Sequence, residues 1–530
     1  MENKTSKNYL IPLGFGIALA IGLWLGNGLT AKQSGLGLTP GEEKYSKVKD
    51  IIEILNNKYV DSLNGDQIFE NAISDMLHKL DPHSNYIPAS ELKAATEMIE
   101  GKFGGIGVRF SIIRDTICVT HVIPNSPSDF VGLKAGDRII TIEKKSVAGK
   151  KISNEKVMKS LKGEAGTPVK LIVYRNKQKI NKTIVRGSIP IETISSFHML
   201  TDDIGYIKLD QFSIASAQEF ERAARILKAK GMKKLVFDLR NNGGGVLQSA
   251  IAIVDEFLGN GVAIVETRGQ HSKKQVYRAT SRGSLEKMEV AVLINSNSAS
   301  ASEIVAGALQ DNDRATILGR RSFGKGLVQE DILLKDGSNL RLTIARYYTP
   351  TGRCIQKPYS ENYDEYIKDQ YDRFENGEMY AIDSTLLVDS LKYKTPKGKI
   401  VYGGGGILPD VFIPADTSGG SWYFTELRYS AAFQNFAFDF VSDKRSRWDS
   451  FEAFNRSFTV TPEILNAFVA YASKYNKVKK DSKGLEMSKR LIEQTIKAEI
   501  ARQIWTEQGY TQVINALDNE VKKAVEVLKK

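Results

Sequence analysis

The spacing of apolar residues changes character three times along this chain, which divides it into segments of different fold class. From Glu42 to about Ile99, Val48, Ile51, Ile52 and Leu55 recur at intervals of three and four, as do Ile68, Ala72, Ile73, Met76, Leu77 and Leu80. That spacing predicts helices, broken at Pro82 and Pro88, with Ser90 capping a short one that carries Leu92, Ala95 and Met98. From Gly101 to about Gly187 the period falls to two, with one helix at Asn154 to Leu161. After Ile189-Pro190, strands and helices alternate as in an α/β layer. From about Ser421 helices return, with Ile464, Phe468, Tyr471, Leu491, Ile492, Ile496 and Ile500 on apolar faces. The chain is 530 residues long, which at ~100–200 residues per domain also calls for three to five units.

The first thirty residues read as an address rather than as a fold. Lys4 and Lys7 precede an apolar run from Leu10 to Leu25, and Asn27 follows. Such a segment carries a chain across a membrane, either as a cleaved signal peptide or as a retained anchor. Gly26-Asn27-Gly28 is a poor cleavage site, which favours the anchor. Composition excludes several other classes. At 42% hydrophobic and 26% charged residues the chain is not disordered. The net charge of +12 is spread out with no long basic run, so nucleic acid is not an expected partner. Cys118 and Cys354 are far apart, so no disulfide framework and no zinc-ligand cluster is expected, and five histidines limit what catalysis can use.

Within the period-two region, Gly104-Gly105-Ile106-Gly107-Val108 stands just before a strand, and Leu133, Ala135, Gly136 and Asp137 follow around a short helix. Some 85 residues of short strands with this loop resemble a PDZ domain. Glycines let successive N–H groups converge into a nest for a terminal carboxylate, and an extended peptide then adds beside the neighbouring strand. Gly105, Ile106, Gly107 and Val108 are the expected peptide-binding loop, with Val157 from the helix completing an apolar lining.

The densest polar constellation is Asn295-Ser296-Asn297-Ser298-Ala299-Ser300-Ala301-Ser302-Glu303, between an apolar strand and a helix. Small residues let the chain turn sharply there, and helix N-terminal N–H groups suit a developing oxyanion. The same residues also read as a capping box, Ser300-x-x-Glu303, which needs no catalysis. Downstream lies Ser322-Phe323-Gly324-Lys325-Gly326. Lys325 reads in three ways: a surface turn lysine, the lysine of a phosphate loop, or a general base. The phosphate loop fails, because Gly326 stands where magnesium needs Ser or Thr, and the β-prone Leu327-Val328-Gln329 follows where a helix should. A neutral lysine in a dry pocket can replace histidine as the base for a serine nucleophile. His83, in Leu80-Asp81-Pro82-His83-Ser84, reads as a turn-packing residue.

Leu80-Asp81-Pro82-His83-Ser84, the PDZ-like module, Asp238-Leu239-Arg240-Asn241-Asn242-Gly243-Gly244-Gly245, Ser298-Ala-Ser300-Ala-Ser302-Glu303 and Phe323-Gly324-Lys325-Gly326 occur together and in this order. From about residue 45 to 415 the chain resembles the carboxy-terminal processing peptidases, or tail-specific proteases. The resemblance implies a serine endopeptidase that cuts proteins near their C-termini without metal or organic cofactor. Ser300 would be the nucleophile, Lys325 the general base and Gln329 the residue orienting its amine. The Ala301 N–H and the glycine turn, at Gly245, would form the oxyanion hole. The expected fold is multidomain α/β: a membrane segment at 1–31, a helical segment at 42–99, a PDZ domain at 100–187, a protease core at 188–420 and a helical extension at 421–530. The expected setting is the cell envelope, with the catalytic part in the periplasm, anchored or secreted. Amphipathic helices at both ends predict a homodimer, although packing back on the same chain accounts for them equally well. A non-catalytic PDZ adaptor that binds protein C-termini is the rival reading.

Overall fold

A computed structural model describes residues 42–359 and 363–530. The expected membrane segment at 1–31 lies outside the described residues, and among those described no helix is long and apolar enough to cross a membrane. The chain divides after Met76. Before that point runs the helix Glu42–Lys58, whose Val48, Ile51 and Ile54 are exposed, and most of the helix Gly65–His78.

In the larger unit the two prolines act as the sequence suggests, with a difference between them. Asn85–Ile87 is a strand, paired with Asn339–Tyr348 through Tyr86 and Leu340. The next helix, Ala89–Glu100, starts from Pro88 instead of Ser90, and its first residue makes no side-chain cap. Pro88 has no side-chain acceptor for the first N–H groups of the helix, but its carbonyl accepts from Glu91 and Leu92 N–H.

The period-two region forms an antiparallel sheet in the order Val108–Ile113, Thr116–Val122, Arg138–Ile142, Pro168–Arg175, Gln178–Val185. The helix Asn154–Leu161, capped by the Ser153 hydroxyl, closes one face over Ile117, Val119, Ile139, Val169 and Val173. Lys102–Gly105 pairs with Gly187–Pro190, so the glycine-rich loop begins in a strand and not in a free turn.

The central layer is a six-stranded sheet: Ile194–Met199, Ile204–Leu209, Lys234–Asp238, Glu289–Ile294, Thr316–Gly319, Val411–Phe412. The first pair is antiparallel and the rest are parallel. Helices Ser216–Ala229, Leu247–Asp255 and Ala301–Asp311 bury one face of it in the main core with Phe220, Phe237, Ile253 and Leu309. A second, antiparallel sheet places Asn339–Tyr348 between Ala263–Arg268 and Leu327–Leu333.

The helices after Ser421 pack back on their own chain. Those from Trp422 to Asn515 enclose a core of Phe433, Phe454, Phe468, Ile492, Ile496 and Ile500. Gln508 exchanges two hydrogen bonds with the backbone of Phe197, which covers the otherwise open edge strand. Asn519–Lys529 lays Val521, Ala524 and Leu528 on the second face of the central sheet, against Tyr206, Val236 and Leu293. Most of the apolar face after Pro462 thus packs within this one chain.

Candidate active site

The site gathers at the carboxyl ends of the neighbouring parallel strands Lys234–Asp238 and Glu289–Ile294, where the chain leaves an α/β sheet and ligands are usually met. The first strand runs out into Asp238-Leu239-Arg240. Burial and the Arg240 guanidinium act in opposition on Asp238, and the guanidinium prevails, holding the carboxyl below its ordinary range. Arg240 reaches on to Asp518 at 2.9 Å and Glu520 at 3.2 Å, at the start of the helix Asn519–Lys529. Asn242, fully buried, ties the turn together. Its side chain donates to Leu209 O, its Oδ1 accepts the Gly244 N–H at 2.9 Å, and its carbonyl accepts from the Ala299 N–H and the Ser302 hydroxyl.

Ser300 follows the second strand and begins the helix Ala301–Asp311. Its φ of 55° and ψ of −112° are strained for a residue with a Cβ, at a cost of order 1–3 kcal/mol. A Cβ placed on Gly244 would stand 2.8 Å from that of Ser300 and 2.9 Å from the Ala301 nitrogen, so only glycine lets the two turns meet. Carbonyl directions show where the N–H groups point, because C=O and N–H lie on opposite sides of a trans peptide plane. Gly244 O accepts from Phe212 N–H, which turns the Gly245 N–H the other way. Ser300 O accepts from Glu303 and Ile304, which turns the Ala301 N–H out of the helix end.

Ser298 and Ser302 are buried in backbone hydrogen bonds, whereas Ser300 keeps partial exposure. Glu303, fully buried, links the serine turn to the lysine loop. It accepts from Ser300 N–H and Lys325 N–H at 2.8 Å each, from Gly324 N–H at 2.7 Å and from the Ser322 hydroxyl at 2.6 Å. Burial pushes its carboxyl up to about 7 against these donors. Tyr347, also buried, bridges the carbonyls of Ser300 and Lys325 with its hydroxyl.

Lys325 Nζ meets Gln329 Oε1 at 2.8 Å and makes no ion pair among the described residues. Burial first, then the Arg341 guanidinium, lowers its amine to about 8. Gln329 is held from behind, since its Nε2 donates to the His83 carbonyl. That fixes Oε1 toward the lysine. The carbonyl is in turn set by Asp81, which accepts from the N–H groups of His83 and Ser84 at 2.8 Å each and from Thr343 Oγ1 at 3.0 Å. The His83 ring contacts the Tyr366 hydroxyl, and burial with the nearby Lys325 charge lowers it to about 3, so it stays neutral. The helix Tyr363–Glu375 closes the back of the loop, with Arg373 donating to Ser322 O at 2.8 Å and to Phe323 O at 3.0 Å.

Glu303 stood out in sequence only as a cap. Tyr347, Asn242 and the His83 carbonyl carried no such signal, since a buried tyrosine or a backbone oxygen looks like any other. The structure thus brings Ser300, Ala301, Gly245, Lys325 and Gln329 together. Gly105, Ile106, Gly107, Val108 and Val157 sit apart in the smaller sheet domain. There, Ile106 O accepts from Ser128 N–H, and Gly107 O from Ile123 N–H and the Ser126 hydroxyl. The Gly107 and Val108 N–H groups therefore point together to the opposite side. Ile106 and Val157 are closed to solvent within that domain's core, and Val108 stays partly exposed.

Residues 203–363 match the model of peptidase family S41, and residues 104–185 that of the PDZ domain. Residues 27–90 match the N-terminal domain of activating protease CtpB, and residues 423–506 a family of unknown function. The carboxy-terminal-processing protease of Bartonella bacilliformis is 39% identical over 321 residues, covering 59% of this chain and 73% of that one. The carboxy-terminal processing protease CtpA of Bacillus subtilis is 32% identical over 362 residues, covering 67% and 76%. Among solved structures, a photosystem II D1 C-terminal processing protease covers 58% of this chain and 89% of its own at 26% identity, with a TM-score of 0.34.

Proposed function

The chain belongs to the carboxy-terminal processing serine peptidases, which join an S41 catalytic core to a PDZ domain, and from that premise we propose that Ser300 and Lys325 form its catalytic dyad. The observation that carries this reading is the amine of Lys325, held at 2.8 Å by Gln329 Oε1 with no ion pair among the described residues, and brought down to about 8 by burial. Lys325 takes the proton of Ser300 as the hydroxyl attacks the peptide carbonyl, then gives it to the leaving amine. The carbonyl oxygen becomes an oxyanion held by the Gly245 and Ala301 N–H groups. Water then releases the acyl-enzyme by the same route in reverse.

Substrate tails bind with their free carboxylate on the Gly107 and Val108 N–H groups and extend along Val108–Ile113, a strand at the edge of its sheet. The protein acts in the cell envelope, carried there by residues 1–31. It pairs with a second copy through the exposed Val48, Ile51 and Ile54 of the helix Glu42–Lys58. The deciding experiment is cleavage of an unfolded reporter with an apolar C-terminus. Ser300→Ala and Lys325→Arg should both abolish it, the second because a guanidinium does not give up its proton in proteins. Near-normal turnover by either variant refutes the dyad.

A further inference from the structure

Away from the dyad, the C-terminal helices enclose a cavity of about 560 Å³, a size usual for small-ligand sites. Its walls come from three segments: Arg428 on the helix Trp422–Tyr429, Gln434 on Ala432–Phe440, and Glu499, Arg502 and Tyr510 on the long helix Ser482–Asn515. That helix is broken at Trp505 and Thr506, and Thr506 has a φ of 57°. A β-branched residue in this conformation is a genuine outlier. The break folds the following turn back, so that the Tyr510 ring lies 3.6 Å from the Arg502 guanidinium.

The charges around the cavity are unevenly paired. Arg502 is shared by two carboxylates: it donates to Glu499 Oε1 at 2.7 Å, and its Nη2 and Nε face Glu507 at 3.1 and 3.0 Å. Arg428 supplies a second positive charge, so the four charges balance in number, but Arg428 stands outside the pairing. Glu499 is 2% exposed, yet its Oε2 has no hydrogen-bond partner, and neither has the buried Oε1 of Gln434. Two buried acceptors, and the buried Nε of Arg502, thus lie around one polar cavity without a hydrogen-bond partner, a costly arrangement in an interior. At the exposed end, Arg428 makes no ion pair among the described residues, although its charge is felt at Glu499. A metal ion does not fit this set, because a guanidinium stands beside the one unsatisfied carboxylate oxygen. A donor that brings hydrogens and a positive charge does fit.

We propose that this cavity binds an amino acid or short peptide as a zwitterion, its ammonium on Glu499 Oε2 and Gln434 Oε1 and its carboxylate on Arg428. The ammonium supplies the missing donors, while Arg428 recognises the opposite end. Nothing in the peptidase reading requires such a site, and its success or failure is independent of the Ser300–Lys325 chemistry.

The test is calorimetric titration of the full chain carrying Ser300→Ala, so that no probe is hydrolysed. The probes are glycine, triglycine, N-acetyltriglycine and triglycine amide. Triglycine should bind saturably, and N-acetyltriglycine, which keeps the carboxylate but lacks the ammonium, about tenfold or more weakly. That contrast separates this cavity from the tail nest, which reads only the carboxylate. Glu499→Gln, close to isosteric, should reduce triglycine to the level of the acetylated peptide. Arg428→Met, at an exposed position with little bearing on folding, should weaken triglycine and leave its amide unchanged. Glycine binding as tightly as triglycine identifies a free amino acid as the ligand, and weaker binding identifies a peptide. The proposal is overturned if triglycine and its acetylated form bind alike, if neither substitution changes the affinity, or if no zwitterion binds and the cavity holds water alone.

Discussion

The pH dependence of cleavage is the most direct reading of the proposed dyad. Two buried groups must lose a proton before Ser300 can act: the Lys325 amine, near 8, and the Glu303 carboxyl, near 7. Glu303 accepts three N–H groups and one hydroxyl, so its charged form is the one the loop geometry fits. With both deprotonations required, kcat/KM is about 20-fold below its plateau at pH 7 and about 1,000-fold below at pH 6. The logarithmic slope is one between pH 7 and 8 and two below 7. The assay is a continuous cleavage measurement from pH 5.5 to 9.5, on a short peptide whose own groups do not titrate in that range. Arg341 supplies an independent handle. It pairs with Asp331 at 2.8 Å, and its positive charge helps to hold Lys325 down. Arg341→Gln should therefore move the upper limb to higher pH and leave the lower one in place. A single limb near 10, or activity flat from pH 6 to 9, refutes the reasoning. So would an Arg341→Gln profile that superimposes on the parent.

Ser298→Ala and Ser302→Ala should keep the chemistry but lower stability by about 1–3 kcal/mol each, since both hydroxyls are buried and hydrogen-bonded; thermal melts beside initial rates would separate the two effects. Gln329→Leu removes the acceptor that aims the Lys325 amine, and should lower kcat by about 10²-fold with KM little changed, as steady-state kinetics would show. A free-acid tailed substrate should be cut about 5- to 150-fold faster than its C-terminal amide, because the amide leaves the N–H nest poorly matched. Gly107→Ala should abolish that contrast, because φ is 80° there and a Cβ would fall 2.2 Å from that of Ser126; acid and amide rates on this variant test the point.

Much of the catalytic layer was legible because its elements are short, strongly apolar and punctuated by glycine. Lys234 to Leu239 and Ile204 to Leu209 have few other ways to be buried. The role of Leu80-Asp81-Pro82-His83-Ser84 was not legible. It acts through a backbone carbonyl that takes its direction from an aspartate two residues earlier, and its target, Gln329, is 246 positions away. Ser90 misled because a serine near a helix start resembles a cap whether or not the helix begins there. The helices after Ser421 were legible as helices, but their faces carry no address. Only the fold shows that Gln508 covers the strand at Phe197 and that Asp518 and Glu520 reach Arg240.

That last contact has a consequence for the making of the protein. Arg240 sits between the strand that ends at Asp238 and the glycine turn at 243–245, and it is gripped by carboxylates almost 280 positions further along the chain. The same late helix covers one face of the central sheet with Val521, Ala524 and Leu528. Synthesis delivers Ser300 and Lys325 long before it delivers this helix. While the ribosome is still at work, the sheet has a bare apolar face and the turn lacks its outer clamp. Contacts so distant in sequence form late and slowly. A nascent chain therefore carries Ser300 and Lys325 without the framework that aligns them, and the order of translation delays assembly of the proposed dyad.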